Sequence, residues 1–101
     1  MAATFEAHVQ RALDGLPTDV AAALKNVAVV IEDEHPDDPD LFGLFEAEPY
    51  LPAKVTIYRL PLVETFEHPD ELEREIRITV LHELAHYFGI DEERLDELGF
   101  A

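Results

Sequence analysis

The sequence predicts an α+β domain, in which a small mixed or antiparallel sheet packs on one long helix. Two patterns carry that expectation. An apolar ladder at helical spacing runs between residues 68 and 88, and two short β-branched runs stand at residues 27–31 and 55–60. At 101 residues the chain suits one modest core and no second domain, so residues 1–101 are expected to form a single unit.

Taken in order, Phe5, Val9, Ala12, Leu13 and Leu16 recur at helical spacing after Thr4, a suitable N-cap, which predicts a helix over 5–15. Pro17 opens a second, short helix over 18–25. Residues 27–31, Val-Ala-Val-Val-Ile, predict a buried strand. Four prolines and many acids make 33–53 an irregular stretch, with a short strand or turn at 41–45. Residues 55–60 alternate as a strand that Pro61 ends. His68 and Pro69 then start the long helix, with Asp70 and Glu71 in its first turn. Leu72, Ile76, Val80, Leu84 and Phe88 form an i, i+4 ladder toward the core, and Gly89 stops it. Asp91 caps a last short helix over 92–98, with Leu95 and Leu98 inward and Gly99 at its end.

Composition narrows the function. There is no cysteine, which excludes disulfides, thiolate catalysis and Cys-containing zinc sites, so any metal must be held by His, Asp or Glu. The formal charge of −16, with seven dispersed basic residues, disfavours nucleic acid. No apolar run approaches the roughly 18 to 20 residues needed to cross a bilayer, and the N-terminus lacks the features of a signal peptide. A soluble, cytoplasmic protein without membrane or nucleic-acid partners is expected.

The motif that carries chemistry is His82-Glu83-Leu84-Ala85-His86, an HExxH. At 100° per residue, His86 stands about 40° around the helix from His82 and one turn along, so both imidazoles reach one ion. Glu83, about 60° from His86, sits beside that ion without ligating it, placed to take a proton from activated water. With five His and fourteen Glu in the chain, shuffling would produce the motif roughly 0.03 times. A catalytic zinc needs a third protein ligand and an open position. The spacing from His82 puts Glu92 at the expected place beyond Gly89, with Asp91 and Asp96 as rivals. Asp91 already has a structural role as N-cap.

Over nearly the whole chain, from the N-terminal helical segment through the 27–32 strand, the 41–46 loop, Ile57-Tyr58-Arg59 and Thr79–Ile90 to Arg94-Leu95 and Glu97-Leu98-Gly99, the sequence resembles the mini-zincin group of small bacterial proteins. That group is a zincin-like metallopeptidase family with an HExxHxxGxxD-type motif. The resemblance implies a minimal zincin-like fold, with the small sheet packed on the HExxH active-site helix. It further implies Zn2+ as cofactor, His82 and His86 as ligands, and Glu83 as catalytic base in peptide-bond hydrolysis. Glu92 stands where the family typically has Asp, one methylene shorter, and there is no Met-turn because the single methionine is Met1.

The expected partner is a peptide or protein substrate. The alternative is a zinc-binding, zincin-like module that engages a protein without cutting it, which the small size favours. A zinc-dependent ribonuclease with the same ligand intervals is disfavoured by the charge and by Glu83. Among further candidates, the Tyr58-Arg59 strand offers an edge for strand addition, or simply packs in the sheet. Tyr50, Tyr58 and Tyr87 are candidate oxyanion donors, though each reads more readily as a half-buried aromatic. Phe42 and Phe45 line a pocket or join the core. His8, His35 and His68 read as surface residues.

Overall fold

The computed structural model describes residues 4–89 and 91–97, apart from the side chains of His86, Tyr87, Phe88, Glu92 and Leu95. Among these residues, five α-helices and three strands follow in the order α1 (Phe5–Asp14), α2 (Thr18–Ala23), β1 (Val27–Glu32), β2 (Gly43–Glu46), β3 (Ala53–Tyr58), α3 (Arg59–Thr65), α4 (Pro69–Phe88) and α5 (Glu92–Glu97). A 3-10 turn, Leu24–Asn26, joins α2 to β1. The sheet is mixed, with β3 central, β1 parallel to it and β2 antiparallel on its far side. This is the α+β arrangement that the sequence predicts.

Local chemistry explains most boundaries. The Thr4 hydroxyl accepts from the Ala7 amide at 3.1 Å and so satisfies one of the donors left open at the start of α1. At α4 the cap is His68, whose Nδ1 accepts from the Asp70 amide at 3.3 Å, followed by Pro69 at the first position. Gly89 ends α4 with φ 68°, a left-handed conformation that side chains disfavour, and its amide donates to Ala85 O. Asp91 caps α5, its Oδ1 accepting from Arg94 N at 2.8 Å.

The core lies between the helices and one face of the sheet. Register puts Val29, Val55 and Phe45 in one row and Ile31, Ile57 and Gly43 in the next, and α4 packs across β2 and β3 on that side. Val55 and Ile57 are completely buried, as are Ile76, Val80, Leu81 and Leu84 of α4. The ladder through Leu72, Ile76, Val80 and Leu84 therefore faces inward as expected; Phe88, Leu95, Leu98 and Gly99 lie outside what is described. Helix α1 closes the other side of α4 with Phe5, Val9 and Ala12.

Four expectations are corrected. Strand β1 is an edge strand, so Val27 is buried but its remaining residues are half-buried or exposed. Pro61 does not merely end a strand: it sits in the first turn of α3, where its missing N–H has no intrahelical partner to lose. His8 is not a surface residue. It is 8% exposed, and its Nδ1 meets Glu73 Oε2 of α4 at 2.6 Å. It lies three residues after Phe5 and four before Ala12, which places it on the buried stripe of α1. Tyr58 and Arg59 do not form a free edge. Tyr58 ends the central strand and is 2% exposed, while Arg59 opens α3 and holds Asp33 through Nη2 at 2.9 Å and Nε at 3.1 Å.

Candidate metal centre and cleft

A cleft of about 370 Å³ opens between the cleft-side face of α4 and the chain entering β2. Helix α4 contributes Glu75, Ile78, Thr79, His82 and Glu83; the other wall is Asp38, Asp40, Leu41, Phe42 and Gly43. A smaller hollow of about 90 Å³ lies further along, lined by Glu46, Glu48, Leu51, Pro52 and Lys54. Two consecutive residues of the HExxH motif thus share the larger cavity. The helical pitch turns them outward because Leu81, Leu84 and Ala85 hold the opposite side in the core.

His82 is exposed on the cleft wall, whereas Glu83 is half-buried. The Glu83 carboxylate is tied to the edge strand, with Oε2 accepting from the Phe45 amide at 3.3 Å. That amide is available because Tyr58 N donates to Phe42 O at 2.9 Å, which sets the alternation of the ladder. In an antiparallel pair the next residues but one point the same way, so the backbone groups of Gly43 and Phe45 turn away from β3. Asp38, Asp40 and Glu75 add carboxylates to the lining, and the described lining residues include no Lys or Arg. Such a wall carries a negative potential that favours a cation.

The donor chemistry fits zinc. Imidazole nitrogen and carboxylate oxygen are its usual ligands where cysteine is absent, and His82 stands on the cleft wall. His86 lies one turn further along the same helix. Among the described residues no group of three His, Asp or Glu side chains converges as a complete cage. The side chains of His86 and Glu92, both expected as ligands, lie outside the described residues. Of the rivals for third ligand, Asp91 spends one oxygen on capping α5, and Asp96 is exposed on that helix.

The remaining candidates separate cleanly. Phe42 lines the cleft and also packs on Phe66, ring centroids 5.6 Å apart, while Phe45 packs against the core. Tyr58 does not line the cleft; it lies edge-on to His35, and burial raises its phenol above the ordinary value, with Glu32 and Glu46 adding to the rise. Tyr50 is fully exposed at the turn between β2 and β3. The Tyr87 side chain is outside what is described. His68 serves as an N-cap, and half-buried His35 accepts from the Asp37 amide at 3.0 Å. Sequence reasoning missed the Phe45 amide and the close approach of Gly43 to Thr79. A glycine inside a strand pattern is the one available signal, since it often marks a close backbone approach.

A long helix that turns His82 and Glu83 toward a cleft beside a short edge strand is a zincin-type arrangement. The model of the zincin-like metallopeptidase family matches residues 24–100, and the chain belongs to that family. A search of curated proteins found no match. No helix among the described residues is long and apolar enough to cross a membrane.

Proposed function

We propose that this chain hydrolyses peptide bonds, with His82, His86 and Glu92 holding Zn2+ and Glu83 acting as general base. The observation that carries the reading is the placement of His82 and Glu83 together on the wall of the larger cleft, facing the edge strand. Zinc bound there would polarise a substrate carbonyl and make water acidic enough to be deprotonated near neutral pH. Glu83 then needs one carboxylate oxygen directed into the cleft. The Phe45 amide engages Oε2, which orients the carboxylate so that Oε1 takes the proton from water and returns it to the leaving amine. The substrate is an extended peptide laid along the outer edge of β2, not along Tyr58-Arg59, because Tyr58 ends a central strand paired on both sides and Arg59 belongs to α3.

The test is digestion of a diverse peptide library with zinc-loaded wild type beside Glu83→Ala, read by mass spectrometry. Cuts made by wild type and reduced about 10²- to 10⁴-fold in Glu83→Ala, with zinc retained, are expected for a lost general base. Zinc retained by both proteins without any cleavage would instead favour a module that binds a protein partner.

A further inference from the structure

We infer that Gly43 is a positioning residue for Glu83: the absence of a side chain there lets β2 lie close enough to α4 for the Phe45 amide to hold the carboxylate. The inference rests on the reading of Glu83 as general base, and it concerns space, not backbone conformation. A Cβ built at Gly43 would stand 2.6 Å from Thr79 Cγ2 and 3.2 Å from Thr56 O. Ordinary carbon–carbon contact begins near 3.5 Å, so the strand and helix would have to part by about 1 Å.

Thr79 has little freedom to yield. Its Oγ1 donates to Glu75 O at 2.8 Å, and β-branched side chains in helices are stiff at χ1. On the far side, β2 is hydrogen-bonded to β3, whose Val55 and Ile57 are fully buried. The contact to be lost is long to begin with, because Phe45 N to Glu83 Oε2 is already 3.3 Å. A displacement of about 1 Å takes it beyond hydrogen-bonding distance. Gly43 pairs with Ile57 and Phe45 with Val55 on the same short strand, so a shift at the first is passed to the second.

The experiment compares wild type, Gly43→Ala and Gly43→Ala/Thr79→Ser. The serine keeps the hydroxyl and deletes the methyl that the new Cβ would strike. Proton–nitrogen correlation spectra of the metal-free protein report the Phe45 amide directly. In wild type that resonance should move upfield on Glu83→Gln, because a carboxylate acceptor is replaced by a neutral one. Gly43→Ala should show the upfield position already and respond no further, and the double variant should recover the wild-type position and response. With zinc and a cleavable peptide, Gly43→Ala should lower kcat at least about tenfold with KM nearly kept, since an ångström of misplacement costs on the order of 10²-fold. The double variant should regain most of it.

The inference is overturned if the Phe45 amide of Gly43→Ala still responds to Glu83→Gln. It is equally overturned if the serine fails to restore what the alanine removed, including the fold itself should Gly43→Ala not fold. The spectra need no turnover. An amide that behaves as expected in a protein that cleaves nothing therefore supports the positioning role while removing the peptidase reading.

Discussion

Helix α4 presents two faces built on opposite terms. Toward α1 and the sheet it offers Leu72, Ile76, Val80, Leu81 and Leu84, all but the first completely buried. Toward the cleft it offers Glu75, Ile78, Thr79, His82 and Glu83, of which only His82 is exposed and the others are half-buried. The first face sets the helix's rotation and depth, because turning it would expose the ladder. The second face then inherits a fixed direction at no cost in packing of its own. A polar motif can be held accurately on such a face even with about a hundred residues to build on.

If that division holds, the largest effect on stability comes from the inward face. Ile76→Ala should cost about 2–5 kcal/mol, the usual range for emptying a packed aliphatic site. Urea unfolding of the metal-free protein measures it. A loss under about 1 kcal/mol would mean that the site collapses easily and that the ladder does not set the helix's orientation.

The next effect tests how the front of α4 is fixed. Glu73 accepts from His8 Nδ1 at 2.6 Å and lies 3.5 Å from Arg11. The hydrogen bond from His8 is the chief reason its carboxyl is held below the ordinary value of 4.5, with the charges of His8 and Arg11 adding to it against the opposing effect of burial. A depressed carboxylate stabilises the folded state fully above its unfolded pKa, and that contribution fades as pH falls through the folded pKa. Wild type should therefore lose stability below about pH 4.5 more steeply than Glu73→Gln. Near neutrality, His8→Ala should cost about 1.5–3 kcal/mol, the range for hydrogen bonds to charged groups. Parallel acid limbs in wild type and Glu73→Gln would show that this pair does not fasten α1 to α4.

The inward face was legible in the sequence because its information is local. The apolar period, the cap at His68-Pro69 and the Gly89 stop all act within a few residues of one another. The HExxH pair is local for the same reason: i, i+4 spacing on a helix defines its own geometry. What the sequence hid depends on which elements meet. The role of His8 requires α1 to lie against Glu73, and the burial of Tyr58 requires β3 to be flanked on both sides, a matter of strand order that no single run of residues encodes. Helix α3 was hidden differently, since Pro61 is as compatible with a first helical turn as with the end of a strand. The proposed third ligand stays a matter of spacing, because the Glu92 side chain lies outside the described residues.

The smallest effect is the sharpest test of the contrast, because it asks whether the cleft face contributes to the fold at all. Glu83 makes one hydrogen bond to the edge strand, and at 3.3 Å it is long. The side-chain carbonyl of a glutamine can accept from the same Phe45 amide, and the two side chains have nearly the same size. Glu83→Gln should therefore change the stability of the metal-free protein by no more than about 0.5 kcal/mol, while removing the proposed general base. Urea unfolding of the two proteins side by side decides it. A loss well above 1 kcal/mol would mean that the carboxylate is a structural clamp between α4 and β2, and that the cleft face is held in place partly by its own chemistry and not by the ladder behind it.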